Sequence, residues 1–406
     1  MQWSDQQRHA RDLVGDWLAN RTQQKQVFRL FGLAGTGKTT IAKDLVQHVE
    51  GKVLYGAYTG KAAMQMRKNG MPAQTVHSMT YRLRPPDKKY YDRMKAKLAE
   101  ATTEKEAKRI RGEMKNAQKL VFDLDEESEL TEAALLVLDE VSFIDKYMGE
   151  DLVSFGCPIL VLGDPGQLPP IEGAGYFTDV EPDVKLTEIH RQAQDDPIVQ
   201  MAMKVRAGKQ PSSGTYAFQG YESEVIYPKD LTPEKVLDAD QVLVGKHKTR
   251  RSFNRKIRSQ LGHKSRYPEK GERLVCLRNE RNEGLLNGMI CEVEKVGNDE
   301  GLWLRLDLRT EEGTKLDAVK VHKCHFDAYY EPDAAKLDFW TLKKANEFDF
   351  GYALTVHKAQ GSQWDKVLFY DDLWGAQDAM MRRRWLYTGA TRAAKQLVFV
   401  KPSSRK

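Results

Sequence analysis

The sequence predicts an α/β protein, and three observations carry that prediction. Short, uninterrupted apolar runs recur along the chain: VFRLF (27–31), VLYGAY (53–58), ALLVLDE (134–140), PILVLGD (158–164), QVLVG (241–245), VLFYDD (367–372) and QLVFV (396–400). Most are followed by a helical pattern, and strands without polar alternation belong to parallel sheets covered on both faces. The runs fall into two groups, separated near residues 187–211 by a polar stretch, which predicts two lobes in a chain of 406 residues.

Composition narrows the setting. Lys and Arg number 64 against 58 Asp and Glu, a net charge of +6 that hints at an anionic partner. Cys157, Cys276, Cys291 and Cys324 form no C-x-x-C pair, which argues against a disulfide framework or a zinc ribbon and for a reducing compartment. His322, Cys324 and His325 lack a fourth ligand at zinc spacing and read as ordinary strand residues. No apolar stretch reaches membrane-spanning length, and the first residues lack a signal-peptide pattern.

Two segments interrupt the alternation. Residues 84–119 carry twelve Lys/Arg against six Asp/Glu and have helical composition, which predicts an exposed helical insertion followed by a hairpin around 119–130. Residues 271–345 carry LVCL, MICEVEKV, LWLRLDL and AVKVH separated by turns such as Asn287-Gly288, which predicts antiparallel hairpins forming a small β-barrel.

The chemistry begins at residues 32–39, GLAGTGKT, which fit G-x-x-x-x-G-K-[ST] between the first strand and a helix. Backbone N–H groups of Gly35, Thr36 and Gly37 can curl around phosphates, Lys38 places a cation on the β/γ oxygens, and Thr39 offers a hydroxyl to Mg²⁺ at a helix N-terminus that also includes Thr40. Asp139 and Glu140 follow the strand ALLVL, so two carboxylates stand beside the phosphate loop. Asp139 is placed to hold the metal's water shell and Glu140 to polarise an attacking water. Gln167, in GDPGQLPP (163–170), is a neutral donor able to sense the γ-phosphate. Arg191 and Arg392 are candidates to reach a transferring phosphoryl group across a cleft.

Taken together these segments resemble a superfamily 1 helicase, most of all its RecD/Dda-type (1B) branch. GLAGTGKTT resembles motif I, AYTGKAA (57–63) motif Ia, TVHS (75–78) the TIH-type motif, LDEVS (138–142) motif II and GDPGQLPP motif III. LTEIHRQ (186–192) resembles motif IV, ALTVHKAQGSQW (353–364) motif V and WLYTGATRA (385–393) motif VI. Motif V departs from the family in carrying Gln363 where many relatives have a glutamate.

The resemblance implies two RecA-like P-loop domains with ATP and Mg²⁺ between them and single-stranded DNA across their top. It assigns 1–80 with 131–185 to the first domain, 81–130 to a pin-bearing insertion, 186–270 with 346–406 to the second domain, and 271–345 to an SH3-like barrel. By the same resemblance Gln7 reads adenine and Gly361 joins the nucleotide site. Thr59, Lys61, Thr75, His77, Thr355, His357 and Lys358 hold the DNA backbone. The expected partners are single-stranded DNA and its junctions with duplex, and a single-strand-binding protein. The expected state is a monomer in the cytoplasm of a bacterial or phage-infected cell, away from membranes. The expected activity is 5′-to-3′ translocation and unwinding by an inchworm cycle. The alternatives are a DNA-stimulated ATP switch that does not unwind and a small-molecule kinase sharing the phosphate loop.

Overall fold

A computed structural model describes residues 3–20, 25–33, 35–170, 175–188, 195–373 and 378–402. Lobe 1 is built on a six-stranded, wholly parallel sheet. In spatial order its strands are Gln74–Thr75, Val53–Ala57, Leu135–Asp139, Ile159–Gly163, Val27–Gly32 and Val184–Leu186. Leu135, Leu136, Val137 and Leu138 are all buried, as are Ile159 to Leu162 between them and the phosphate-loop strand. Burial of both faces explains the absence of alternation, since each such side chain contributes roughly 1.5–3 kcal/mol wherever it points.

Helices begin where the sequence supplies a cap. Ser4 and Gln7 form a reciprocal capping box on helix Asp5–Ala19, Thr59 caps Gly60–Lys68, and Asp196 with Pro197 in the first turn starts Pro197–Arg206. No helix among the described residues is long and apolar enough to cross a membrane.

Lobe 2 has a second six-stranded sheet, ordered Ala353–Thr355, Gln241–Val244, Trp364–Tyr370, Ala393–Val400, Tyr221–Ile226 and Gly214–Phe218. All of its pairs are parallel except the last. Helix Pro197–Arg206 packs on helix Ala379–Ala390 through Met201, Val205, Trp385 and Leu386. All seven apolar runs of the sequence thus lie in these two sheets.

The two breaks are also structured. Residues 88–100 and 104–117 form two antiparallel-packed helices, but the expected hairpin within 119–130 is not there. Strand Val121–Leu124 pairs instead with Tyr81–Arg84, so the ribbon is made from both ends of the insertion with the helix pair at its tip. Residues 119–130 contain only one β-forming run, and the acidic stretch after it turns into the short helix Glu129–Glu132. The helix pair touches the second insertion: the Tyr91 and Trp340 rings lie 4.5 Å apart, and the Phe339 N–H donates to Gln118 Oε1 at 2.8 Å.

The second insertion is an antiparallel sheet, ordered Lys315–His322, Trp303–Thr310, Ile290–Asp299, Arg273–Cys276 and Phe348–Phe350. Its last strand lies past residue 345, where the turn pattern ends. Phe348, Asp349 and Phe350 are all buried and give no alternation to mark a strand. A bridge between Val321 and Asn346 brings the two sheet edges together. The apolar core of this sheet is continuous with that of lobe 2, through Val242, Val244 and Ile257.

One buried ion pair ties the insertion to lobe 2. Arg258, on helix His247–Gln260, donates through Nε to Glu272 Oε1 at 2.6 Å and through Nη2 to Oε2 at 3.0 Å, and its guanidinium lies 3.9 Å from the Phe350 ring centroid. Removing one member of such a pair strands the other's charge. Glu272→Ala is therefore expected to cost about 3–5 kcal/mol, read as a lower urea midpoint. An unchanged midpoint would show that the pair is solvated despite its burial.

Candidate nucleotide cleft

The phosphate-loop strand ends at Gly32, and the chain then turns through Gly35 and Gly37 into helix Lys38–Leu45. Gly37 has φ +87°, a left-handed conformation that costs a side chain but lets successive N–H groups face one concavity. Thr36 is buried and its hydroxyl donates to the Leu33 carbonyl at 2.9 Å, bracing the loop, while Thr40 points outward, exposed. Lys38 Nζ donates to the carbonyls of Gly32 (2.8 Å) and Leu33 (2.9 Å), so its ammonium is held over the loop.

Thr39 donates its hydroxyl to Asp139 Oδ2 at 3.1 Å, and the Glu140 N–H donates to Asp139 Oδ1 at 2.8 Å. Glu140 has φ +54°, a strained conformation for a non-glycine residue that turns it off the strand end into the cleft. Burial pushes both carboxyl groups above their ordinary range. The Lys38 charge opposes this for Asp139, and Arg392 opposes it for Glu140, whose neighbour Asp139 adds to the rise. A hydroxyl and a carboxylate at this spacing are hard oxygen donors of the kind Mg²⁺ accepts alongside water, and the excess negative charge gives a divalent cation a reason to settle there.

These groups line a cavity of about 610 Å³ whose opposite wall belongs to lobe 2. Lys38, Thr39, Asp139, Glu140 and Gln167 face Gly361, Gln363 and Arg392. Gln167 is buried and its Oε1 has no partner among the described residues. Arg392, also buried, is braced by the carbonyls of Thr388 and Ser362, each at 3.1 Å, and by the Thr391 hydroxyl at 3.2 Å. Arg191 lies outside the described residues.

Three hydrogen bonds join the lobes beside the cavity. Tyr387 OH donates to Asp164 Oδ2 at 2.7 Å, the Leu168 N–H donates to Thr388 Oγ1 at 3.0 Å, and Gln360 Nε2 donates to the Leu168 carbonyl at 3.3 Å. Both partners of the first two bonds lie in motif-like segments, yet a single sequence carries no signal that they meet.

Gln7 is buried against the phosphate loop. Its Nε2 donates to the Thr36 carbonyl at 3.0 Å, and its Oε1 accepts from the Ser4 N–H at 3.1 Å. The residues expected along a strand of DNA divide into groups. Thr59 and Thr355 cap their helices, accepting from the N–H of Ala62 (3.1 Å) and Lys358 (3.3 Å), and Thr75 donates to Ser78 Oγ at 2.9 Å. His77 sits among Tyr58, Tyr81 and Phe122 with ring centroids 5.5–6.0 Å away, and burial holds its pKa below the ordinary histidine value.

His357 is likewise lowered by burial, then by the nearby His247, and the Lys358 ammonium donates to Asn287 Oδ1. Lys61 departs from this set. It lines the nucleotide cavity, pairs with Glu311 at 3.0 Å and lies 4.8 Å from the Trp364 ring centroid. The aromatic group around His77 was not legible in sequence, because its members come from three separate segments.

Fold and cleft define a P-loop protein of two facing lobes. A family model described as an AAA domain matches residues 16–224, just over half of the chain, and one described as a UvrD-like helicase C-terminal domain matches 350–400. The chain belongs to that first family. Over 269 residues it is 29% identical to the ATP-dependent RecD2 DNA helicase of Deinococcus radiodurans, covering 64% of this chain and 35% of that one. Over 203 residues it is 26% identical to the ATP-dependent DNA helicase dda of Enterobacteria phage T4, covering 46% and 39%.

The chain thus spans between a third and two fifths of the length of these curated relatives. Among solved structures, a Pif1 helicase from Bacteroides in complex with ADP-AlF3 and ssDNA matches with a TM-score of 0.55 at 16% identity, over 98% of this chain and 92% of that one. That likeness shows the fold, two RecA-like domains.

Because burial raises the Glu140 pKa above its unfolded value, the folded state binds that proton more tightly, and stability is lost as pH climbs through the folded pKa. Without nucleotide, Glu140→Gln should therefore melt higher than the native chain at neutral pH, with the gap closing as pH falls towards the ordinary carboxylate value of about 4.3. A variant that melts lower at neutral pH would show that Arg392 outweighs the burial.

Proposed function

We propose that this chain is an ATP-dependent DNA helicase that moves 5′-to-3′ on single-stranded DNA and opens duplex by an inchworm cycle. The observation that carries the reading is the cavity between the lobes, with Lys38, Thr39, Asp139, Glu140 and Gln167 on one wall and Gly361 and Arg392 on the other. In it, the N–H groups of Gly35, Thr36 and Gly37 and the Lys38 ammonium bind phosphates, and Thr39 with Asp139 would hold Mg²⁺. That ion supplies charge neutralisation on the phosphate oxygens.

Glu140, kept basic enough by burial, takes the proton of the attacking water. Gln167 turns its unpartnered carbonyl towards that water, and Arg392 reaches the γ-phosphoryl group from lobe 2, a role worth roughly 10³ to 10⁵ in rate. Gln7 braces the loop through the Thr36 carbonyl. Hydrolysis removes the anion that draws the two walls together, so that DNA contacts on each lobe grip in turn.

On this reading 1–80 with 131–185 is the first motor domain and 186–270 with 346–406 the second. Residues 81–130 form the pin-bearing insertion, with the ribbon Tyr81–Arg84 and Val121–Leu124 as its pin, and 271–345, closed by strand Phe348–Phe350, an SH3-like barrel. Thr59, Thr75, His77, Thr355, His357 and Lys358 border the strand's path, whereas Lys61 serves the cleft. Separating each base-pair step costs about 1.4 kcal/mol of stacking, so a nucleotide-driven bias is required. The similar Pif1 helicases, one bound to ssDNA and one described as unwinding DNA at forked dsDNA, support single strands and junctions as partners.

Lys38→Ala and Glu140→Gln should each lower DNA-stimulated ATP hydrolysis at least about a hundredfold. Full turnover in either would refute the assigned roles. In a strand-displacement assay the native chain should open a duplex with a 5′ tail and leave its 3′-tailed counterpart intact. ATP hydrolysis without displacement of either would mark a DNA-gripping switch instead.

A further inference from the structure

A second cavity, of about 670 Å³, opens in lobe 2 and shares no lining residue with the nucleotide cleft. It lies beyond the carboxyl ends of strands Gln241–Val244 and Trp364–Tyr370, the place where open α/β sheets take ligands. Lys246, which precedes helix His247–Gln260, and Thr249, Ser252, Phe253 and Lys256 along that helix line it together with Tyr370. The half-buried Phe253 and Tyr370 rings meet edge to face with centroids 5.3 Å apart and form an apolar wall.

The rim of this wall carries two lysines. Lys246 and Lys256 are exposed, and neither ammonium has an ion-pair partner among the described residues. The two carboxylates that also line the cavity are committed elsewhere. Asp371 pairs with Arg382, and Asp372 accepts the N–H groups of Gly245 (2.6 Å) and Lys246 (3.1 Å). Helix His247–Gln260 contains six Lys/Arg and no acidic residue. An aromatic wall with a cationic rim is the chemistry that a base and its flanking phosphates require.

The cavity also adjoins the expected path of the strand. Val244 pairs in parallel register with Thr355, so the residues after it, Gly245 to His247, emerge beside Val356 to Lys358. We propose that this cavity is a nucleotide subsite of lobe 2, taking one base of the single strand against Phe253 and Tyr370 while Lys246 and Lys256 hold the adjoining phosphates. It rests on the strand-binding reading above and extends that path beyond His357 and Lys358.

Affinity for oligothymidylates from about 6 to about 16 nucleotides tests it, titrated at several salt concentrations. The native chain should gain about tenfold in affinity once the strand is long enough to reach the cavity. The double variant Lys246→Ala/Lys256→Ala should lose that step, with its salt slope on long strands shallower by about 1.4, at roughly 0.7 per phosphate contact. Binding of the shortest strands and DNA-free ATP hydrolysis should be unchanged.

Ser252→Trp, which fills the cavity and keeps both lysines, should lose the same length step. Native affinity and slope in either variant would overturn the proposal. Saturable binding of thymidine monophosphate that Lys256→Ala abolishes, with oligothymidylate binding intact, would overturn it in favour of a free-nucleotide site. If the native chain binds no single strand at all, the failure lies with the strand-binding reading itself.

Discussion

The arrangement depends on a charge imbalance at the end of one strand. Asp139 and Glu140 are adjacent, drawn out of water and aimed into the same cavity, with the Thr39 hydroxyl and the Glu140 N–H as the near donors to Asp139. Relief comes from a distance, with Lys38 entering from the phosphate loop and Arg392 from the other lobe. A triphosphate with its cation would change the sign of this balance twice, bringing negative phosphates to Lys38 and Arg392 and positive metal to the carboxylates. On the proposed function, binding and cleavage would therefore alter the force between the lobes as well as the occupancy of a pocket.

That force has a defined mechanical path. The loop carrying Gln167 is fixed to lobe 2 by Asp164 with Tyr387 and by Leu168 with Thr388, and the carbonyl of Thr388, in the last turn of helix Ala379–Ala390, braces Arg392. Gln167 and Arg392 are thus linked through a few buried hydrogen bonds. Buried bonds of this kind cost about 1–3 kcal/mol when one partner is left unsatisfied, which favours two discrete arrangements over gradual loosening.

Much of this was legible in the sequence because its signals are local. The phosphate loop needs glycines at fixed offsets between a strand and a helix, and parallel strands buried on both faces lose their polar residues, so residues 32–39 and all seven apolar runs could be read directly. What was illegible depends on partners distant in the chain. The ribbon strand Val121–Leu124 finds Tyr81–Arg84 across two intervening helices, and Phe348–Phe350 joins a sheet whose other strands lie before residue 323. Lys61 was placed with the DNA contacts by motif position alone, whereas its companion Glu311 comes from a turn of the second insertion. Short edge strands and cross-lobe ion pairs leave no periodicity behind.

Close approach of the lobes also explains a residue that motif position alone leaves unexplained. Gly361 has φ +73°, and a Cβ built there would stand 3.2 Å from both Ala62 Cβ and Thr59 Oγ1, on the first turn of a lobe 1 helix. A side chain at 361 would meet both backbone strain and a neighbour held by the cap between Thr59 and the Ala62 N–H. The same glycine lines the nucleotide cavity. Its smallness therefore lets the chain preceding Gln363 lie against helix Gly60–Lys68 without a side chain in between. Thr59 is thereby tied to the nucleotide cleft through packing, and a residue expected to hold DNA becomes part of the surface on which the lobes meet.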